Sequence, residues 1–515
     1  MKLKSGSGSR PAIQGATASR TRSGHGRMLG IEYKWIALAV TTLGAFMFAI
    51  DSTIVVLALP PMMADLNAGL VSMIWVLMGY SLTSTVALLT FGRLADMFGR
   101  VRMFNAGFVV FTIGSVLCGL STTDLQLIIF RVVQGVGGAM LLANSMAIIT
   151  EAFPAEERGQ AMGLNSVVWA LGSIAGPLLG GLILTEASWR WIFWVNLPVG
   201  VVGTIAALLL LRDVSSRSEG EKFDVAGALF FSASLVALLL ALNQAIALGW
   251  TSPIISGLLV LTVIFGVAFY VWNRRVVHPV LDFGLFADQV FSTTIVTTTL
   301  QALAMFSVNF LVVYYLEVVQ GQSPLTAALA LVPLSVMSSV MGPIGGKLSD
   351  NMGSRRPVAI GMAFQTLGLI VLSTLQVGSS YLHVTAGLLL VGLGGGLFWA
   401  PTTSAAMGAA PPNRLGVAAA TLATWRNTGM VVSYALSLAI AAAAVPADAQ
   451  TALFLGESVH LSPRIAADFV DGLHAALRLS AIICALTIVG WWVFASGADK
   501  PSQRPEGAPP AIPME

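Results

Sequence analysis

The sequence predicts an all-α integral membrane protein built from two six-helix bundles and an inserted two-helix hairpin. Of its 515 residues, 56% are hydrophobic and only 10% are charged. Fourteen apolar segments are long enough to cross a bilayer, which takes about 20 helical residues. One short motif also recurs in the two halves of the chain. Helices are the expected spanning form, because each satisfies its own backbone hydrogen bonds in lipid. This composition excludes a soluble enzyme.

The predicted spans are 35–58, 71–91, 103–122, 125–150, 160–184, 191–211, 225–246, 253–272, 291–316, 325–346, 357–377, 381–404, 415–443 and 473–495. The pair 225–246 and 253–272, joined by a short connection, is the inserted hairpin and the least certain to form two separate spans. The predicted organisation is a disordered basic tail 1–32, a bundle 33–212, a linker with helices seven and eight 213–289, a bundle 290–496 and a disordered tail 497–515.

The distribution of basic residues predicts the orientation. Of the 27 Lys and Arg residues, only Arg190 and Arg464 fall in outside loops, while Arg131, Arg426 and Arg478 fall in helices. All the others lie on the inner side, so the positive-inside rule places both termini in the cytoplasm. Cysteine and histidine spacing shows no disulfide framework and no metal site.

A repeated motif predicts a duplicated transporter. Gly92-Arg93-Leu-Ala-Asp96-Met-Phe-Gly99-Arg100 recurs as Gly346-Lys-Leu-Ser-Asp350-Asn-Met-Gly353-Ser354. We expect each copy in a short cytoplasmic loop between the second and third helix of its half, with the substrate path between the halves. A solvated loop needed only for topology is the alternative for one copy; two matched copies favour a cytoplasmic latch that holds the halves together in the outward-facing state. Its residues are Gly92, Arg93, Asp96, Gly99, Arg100 and Asp350.

The segment from Gly163 to Gly181 is apolar, of membrane length and rich in small residues. It contains Gly163, Gly172, Gly176, Pro177, Gly180 and Gly181. Proline bends a helix, and small residues four apart let a neighbouring backbone approach closely. We expect a bent helix with one smooth face that rocks against its partner; ordinary close packing is the alternative.

Ionisable groups inside the spans are candidates for the chemistry, because burying them is expensive. Asp51 follows Lys34 by about 25 Å of helix, and Arg131 follows Asp124 by about 10 Å. Both therefore reach the outer third of the membrane and are able to interact directly or through a polar residue. The pair is either a proton-coupling site or a static ion pair that fixes helix packing; the first is favoured. Arg426 reaches mid-membrane, and its role stays open.

Several of these segments resemble the major facilitator superfamily. Gly172-x-x-x-Gly176-Pro177-x-x-Gly180-Gly181 is similar to the fifth-helix motif of its exporters. The other resemblances are to the fourteen-helix drug:proton antiporter branch or the superfamily at large, and they cover Ile50–Pro60, Arg131–Ala139, Trp189–Gly200 and Gly321–Pro324. The resemblance implies efflux by proton antiport and alternating access, with the helix containing Gly176 as the hinge. Glu317 is a departure, since the branch often has Gln there; it is a second proton site or, as we favour, a surface charge.

Side chains that combine aromatic faces with polar edges are candidates for the substrate cavity, although packing is the alternative for each. They are Tyr80, Asn144, Trp169, Asn309, Tyr315, Trp399 and Arg426. One acid and two cations in the core favour neutral, zwitterionic, monocationic or weakly anionic amphiphiles over dications.

The predicted function is proton-coupled export of amphipathic small molecules across the plasma membrane. The alternatives are a lipid or metabolite exporter and, from another class, a membrane sensor or scaffold without transport. No phosphate-binding loop for ATP occurs, and we expect no enzymatic activity. Expected partners are the substrate, protons and membrane lipids, without nucleic acid, cofactor or metal, and the protein is expected to be a monomer.

Overall fold

The computed structural model describes residues 27–28, 31–213, 222–322, 324–443 and 463–499. One pair of two-residue antiparallel strands, Arg27–Met28 and Ile31–Glu32, precedes the first helix. These strands fall at the end of the tail 1–32, whose disorder stays a prediction. Residues 1–26 of that tail and 500–515 of the C-terminal tail lie outside the described residues.

The first half of the chain is a succession of helices. They are α1 (Tyr33–Leu57), α2 (Leu59–Leu66), α3 (Leu70–Val86), α4 (Leu88–Phe98), α5 (Arg100–Leu120), α6 (Asp124–Ala152), α7 (Arg158–Glu186), α8 (Trp191–Trp194) and α9 (Asn196–Leu210). Two further helices, α10 (Val225–Leu248) and α11 (Pro253–Asn273), pack against each other as a hairpin.

The second half repeats this helical pattern. Its helices are α12 (Gln289–Tyr314), α13 (Pro324–Ala330), α14 (Val332–Met352), α15 (Arg355–Leu372), α16 (Tyr381–Ala409), α17 (Leu415–Ala443) and α18 (Pro463–Phe494). A π-helical turn, Tyr315–Val319, extends α12. Glu317 lies in this turn, and its side chain is not among those described.

Each predicted span coincides with one helix or with two consecutive helices. Within the described residues, ten helices are long and apolar enough to cross a membrane, or eleven if the bent pair formed by α3 and α4 is one span. The bend between that pair is 44°. The structure therefore confirms an all-helical membrane protein, and the number of fourteen spans stays a prediction. The last helix begins ten residues before the predicted span 473–495, at Pro463.

The repeated motif is helical rather than looped, which corrects the sequence prediction. Gly92, Arg93 and Asp96 lie within α4, and Asp350 lies within α14. Only the last glycine of each copy turns the chain: Gly99 has φ 108° and Gly353 has φ 81°, a region that L-residues with side chains rarely adopt. Asp96 and Asp350 therefore project from the last turns of rigid helices, so the helices themselves set the positions of both carboxylates.

Candidate functional site

A buried ion pair joins α1 to α6. Asp51 Oδ2 lies 2.7 Å from Arg131 Nη1, and the two side chains are 0% and 1% exposed. The guanidinium also donates through Nε to the Val76 carbonyl (3.3 Å). The sequence left open whether the two side chains meet directly or through another residue; the contact is direct.

Two amides complete the coordination of the Asp51 carboxylate. Gln134 Nε2 and Asn196 Nδ2 donate to Asp51 Oδ1 at 2.8 and 3.0 Å. Gln134 also accepts from Arg131 Nη1 at 2.8 Å, which fixes its amide orientation. Asn196 begins α9 and also donates to Ser115 Oγ (3.1 Å), so the network reaches α5. The Asp51 carboxylate of α1 is therefore bound directly by α6 and α9, and it is connected to α5 through Asn196.

An aromatic ring covers the ion pair. The ring of Tyr80 lies 4.1 Å from Arg131 Cζ, and that of Phe193 lies 5.8 Å away. The sequence predicted Tyr80 as a cavity residue. In the structure it is 2% exposed and packs on the guanidinium. Three charged or polar donors thus satisfy the Asp51 carboxylate inside the helical core. These contacts tie one carboxylate to the packing of α1, α6 and α9.

Gln134 and Asn196 were missed as site residues. Gln134 lies three residues after Arg131, so helical spacing places both side chains on one face. Asn196 offered a weaker signal, since a polar residue between Val195 and Leu197 also suits a turn at a helix start. Neither spacing alone identifies Asp51 as the shared partner, because the contact joins residues far apart in the chain.

A second carboxylate bridges the two halves at the end that the sequence predicts to be cytoplasmic. The backbone N–H groups of Gly416 and Val417, in the first turn of α17, donate to Asp96 Oδ1 and Oδ2, both at 2.9 Å. Arg100 donates to Oδ1 through Nε (3.1 Å) and Nη2 (2.8 Å). Its Nη2 also reaches the Pro412 carbonyl at 2.7 Å. A side chain of the first half thus caps a helix of the second half, where the helix dipole favours negative charge.

The second copy of the motif makes the reciprocal contact. The N–H groups of Gly159 and Gln160, in the first turn of α7, donate to Asp350 Oδ1 (2.8 Å) and Oδ2 (2.9 Å). Ser354 occupies the position equivalent to Arg100 and contacts Ser349. Because serine carries no charge, the described residues show no ion pair to Asp350 that would match the one between Arg100 and Asp96. Burial raises the pKa of Asp350, which lies beyond the predicted span 325–346, to about 6; the two backbone donors oppose the rise, and Glu157 and Glu156 add to it.

Glycine contacts close the same surface between the halves. A Cβ placed on Gly92 would lie 2.6 Å from the Gly416 carbonyl oxygen, and one on Gly346 would lie 2.0 Å from that of Gly159. A Cβ on Gly163 would lie 2.5 Å from the Gly342 oxygen. The halves therefore meet backbone to backbone where α4, α7, α14 and α17 come together. Arg93 is fully buried in this region.

The predicted exporter hinge packs against the helix that carries Asp51. Cβ atoms on Gly172 and Gly176 would lie 2.7 Å from Ala49 Cβ and 2.0 Å from Thr53 Oγ1, and Gly180 approaches Ile54. Gly181 points into open space, with no atom within 4 Å. Helix α7 is continuous through Pro177, whose side chain is not described. The first three glycines thus form a smooth face against α1, and Gly181 does not belong to it.

The predicted cavity residues differ in burial, and their shared role as a cavity lining stays a prediction. Asn144 is fully buried and donates to the Met140 carbonyl of its own helix (2.7 Å), and Tyr315 is fully buried and donates to the Gln376 carbonyl. Trp169 packs on Phe48 with ring centroids 5.6 Å apart. The exposed or partly exposed members are Trp169, Asn309, Trp399 and Arg426.

A cavity of about 260 Å³ lies where α10 of the hairpin meets α3 and α17. Its lining is mainly apolar, with three polar side chains, Ser81, Thr85 and Asn243. None of the predicted cavity residues lines it. The hairpin therefore contributes to a crevice shared with both halves, a role that its sequence did not suggest.

Comparison with known proteins identifies the family. The sequence model of the Major Facilitator Superfamily matches residues 41–434. The chain is 31% identical over 413 residues to the "Riboflavin transporter RibZ" of Clostridioides difficile, covering 79% of this chain and 88% of that protein. It is 33% identical over 410 residues to the "Multidrug resistance protein Stp" of Mycobacterium tuberculosis, with 79% and 76% coverage. It is 32% identical over 384 residues to the "Tetracenomycin C resistance and export protein" of Streptomyces glaucescens, with 75% and 71% coverage.

Solved structures show the same fold at low sequence identity. The human organic anion transporter MFSD10 superposes with a TM-score of 0.60 at 13% identity, over 88% of this chain and 99% of that one. A double-tryptophan variant of XylE superposes with a TM-score of 0.63 at 14% identity, over 90% and 96%. At these identities the likeness concerns the fold alone.

Proposed function

The chain belongs to the Major Facilitator Superfamily, and we propose that it exports amphipathic small molecules across the plasma membrane in exchange for protons. The observation that carries the proposal is the coordination of Asp51 by Arg131, Gln134 and Asn196 deep in the helical core. A carboxylate at this depth is costly unless it is paired, and such groups mark proton pathways in transporters.

The proposed mechanism couples the proton to helix packing. Helix α1 carries Asp51 on the side that contacts α6 and α9, and Thr53, two residues further along, contacts Gly176 of α7 on another side of the same helix. Helix α7 is also the helix whose first turn is capped by Asp350 of the other half. Protonation of Asp51 would release its three donors and so loosen the α1, α6 and α9 junction beside this helix. The change at the outer third would then reach the cytoplasmic contacts through a single rigid element.

The contacts of Asp96 and Asp350 stabilise one of the two states that alternating access requires. Asp96 and Asp350 hold the inner ends together, so we assign this conformation to the outward-facing state of an alternating-access cycle. Opening to the cytoplasm would break both caps and separate the paired glycines. Substrate would enter from the cytoplasm in the open form and leave outward after the caps reform, while the proton travels inward.

Relatives named for drug resistance and export support the direction and the substrate class. The relative named for riboflavin transport favours a second candidate, the export or uptake of a metabolite on the same scaffold. A sensor or scaffold without transport is the alternative from another class.

Proteoliposomes distinguish these functions. The purified protein is reconstituted with a pH-sensitive dye inside, and ethidium, 1-pyrenebutyrate or riboflavin is added with and without an imposed pH gradient. Proton antiport predicts that the substrate moves against its own concentration gradient and that protons move in the opposite direction. A protonophore should abolish both movements. Riboflavin movement without response to the other two compounds would favour the metabolite transporter. Absence of any substrate-dependent proton flux would contradict the proposal.

A further inference from the structure

Arg426 differs from Arg131 in its surroundings. Residue Arg426 is partly exposed, and the side chains and backbone that the structure describes offer its guanidinium no hydrogen bond or ion pair. The ring of Trp399 lies 5.9 Å from Arg426 Cζ. Arg131, in contrast, is 1% exposed and has a carboxylate, an amide and a carbonyl as acceptors.

The neighbours of Arg426 fix its position between the halves. The next residue, Asn427, donates to Thr85 Oγ1 of α3 (3.3 Å), across the interface between the halves. Gly429 lies against α12, where an added Cβ would be 2.6 Å from the Thr299 carbonyl oxygen. Trp399 belongs to α16. The guanidinium therefore lies where α17 meets α3, α12 and α16.

The four helices around Arg426 provide no negative charge to balance its guanidinium. None of these four helices contains an Asp or a Glu residue. Asp51 is already occupied by its three donors. Arginine stays protonated in proteins, and a charge held away from bulk water is costly unless it is paired. An anionic group brought by a ligand would supply the missing acceptor.

An aromatic surface adjoins the cation. The ring centroid of Trp399 lies 6.3 Å from that of Phe306 and 5.2 Å from that of Phe398, both at steep angles. Trp399 and Phe306 are partly exposed, whereas Phe398 is fully buried and supports the Trp399 ring. A planar aromatic ligand packs favourably on such edges and faces, and the planar guanidinium matches a carboxylate with two parallel hydrogen bonds.

We propose that Arg426 and Trp399 form a subsite for the anionic group of the substrate, and that the preferred substrates are monoanionic, planar aromatic amphiphiles. This proposal rests on the export function proposed above and narrows its substrate class. Because Asp51 neutralises Arg131, the cationic charge that remains for the substrate is that of Arg426. A dication would face an unmatched positive charge, and a neutral analogue would leave Arg426 without its acceptor.

Binding measured without a gradient tests the subsite. The probes are 1-pyrenebutyrate and its uncharged methyl ester, titrated by fluorescence into purified protein in a zwitterionic detergent. Arg426→Gln is expected to weaken binding of the carboxylate by about tenfold or more, the effect of losing a charge-assisted hydrogen bond, and to leave the ester nearly unchanged. Arg426→Lys retains part of the affinity, since it keeps the charge but loses the planar fork.

Two further variants serve as controls. Arg478→Gln removes an exposed arginine from α18 and should change neither probe. Trp399→Leu should weaken both probes, because both use the aromatic surface. Equal loss of ester and carboxylate affinity in Arg426→Gln, or no loss of either, would overturn the proposal. Because no transport is measured, a protein that binds as expected but fails to move protons would contradict the export function and leave the subsite standing.

An anionic lipid carries the same chemistry as a carboxylate substrate. The titrations are therefore repeated in nanodiscs of phosphatidylcholine alone and with phosphatidylglycerol added. A substrate subsite predicts the same carboxylate preference in both. If phosphatidylglycerol binds at Arg426 and pyrenebutyrate does not, the occupant is a lipid headgroup and the substrate assignment is wrong.

Discussion

Asp51 Oδ2 accepts a 2.7 Å hydrogen bond from Arg131 Nη1, across a junction in which neither side chain exceeds 1% exposure. Breaking a buried pair by removing one charge typically costs about 3–5 kcal/mol, because the other charge is left without compensation. The Asp51–Arg131 pair therefore affects the stability of the fold whichever function it serves. Experiments on it must separate loss of packing from loss of proton coupling.

We expect Asp51→Asn to abolish uphill, proton-driven export while substrate exchange at equal concentrations survives. Asparagine keeps the size of the side chain but has no carboxyl to protonate. Transport against a gradient and counterflow are measured in the same proteoliposomes. Asp65→Asn is the matched control, because Asp65 lies on α2 in an exposed pair with Arg190 (2.6 Å) and should leave coupling intact.

A double variant separates coupling from packing. Asp51→Asn combined with Arg131→Gln contains no stranded charge, so it should recover the thermal stability lost in the single variant. If the pair were only a static ion pair, the neutral double variant would also recover uphill transport. We expect it to recover stability alone.

Gln134→Leu should lower proton-driven transport, because it removes a hydrogen-bond donor from the Asp51 carboxylate and an acceptor from Arg131. Substrate binding should change less than uphill transport. Both are measured in wild type and variant. Gln126→Leu, at the exposed start of the same helix, should leave both unchanged. Unchanged uphill transport in Gln134→Leu would exclude it as a positioning residue.

The sequence predicted the helical segments and the charged pair well because both depend on local rules. Apolar length predicts spans, and the rise per residue placed Asp51 and Arg131 at similar depth. It failed for contacts that depend on the approach of distant helices. That Asp96 caps α17, and that Gly92 meets Gly416, follows from how the halves dock, which no local pattern records.

Cavity residues were the least predictable part of the site. Tyr80, Asn144 and Tyr315 combine aromatic or polar character with membrane position, as a lining residue would. All three are nonetheless buried: Tyr80 packs on Arg131, and Asn144 and Tyr315 donate to backbone carbonyls. Composition does not tell which face of a helix is covered. Trp399 and Arg426 are partly exposed in the fold, unlike Tyr80, Asn144 and Tyr315. This difference depends on the packing of neighbouring helices and has no signal in the sequence.

Gly176→Leu should block transport turnover, because even a Cβ would lie 2.0 Å from Thr53 Oγ1 and 3.0 Å from the Ile50 carbonyl oxygen. The side chain would force α7 away from α1. Gly181→Leu provides a matched control on the same helix, since nothing lies within 4 Å of its Cβ position. Turnover and substrate binding are measured for both. Normal turnover in Gly176→Leu would reduce the glycine face to passive packing.

Asp96→Ala should shift the protein towards the cytoplasm-open state. Loss of a helix N-cap costs about 1 kcal/mol, and the buried Arg100 would keep only one of its two carboxylate partners, Glu151 (3.2 Å). Spin labels on Cys introduced at Arg102 and Arg356, both exposed near the inner ends, report the distance between halves by electron–electron resonance. A longer distance is expected. Asp65→Ala should leave the distance unchanged, and an unchanged distance in Asp96→Ala would contradict the latch.

Asp350 predicts a pH dependence of its own. Its pKa in this closed conformation is about 6, against an ordinary value of 3.8. In an open form with Asp350 in water, the carboxyl would return to that ordinary value. The closed form then binds the proton more tightly, so acid favours closure. The added stability is complete below pH 3.8 and is lost as the pH rises through 6.

The Asp350 effect is best measured where Asp51 cannot titrate. In the Asp51→Asn background, the distance between spin labels at positions 102 and 356 is recorded from pH 4.5 to pH 8. We expect the closed population to rise as the pH falls through about 6, because burial of the uncharged carboxyl is the cheaper state. Adding Asp350→Asn should flatten the profile, since the amide keeps the size and loses the proton site. A closed population that falls on acidification would show that the two backbone hydrogen bonds outweigh desolvation at Asp350 and would reverse the sign of this coupling.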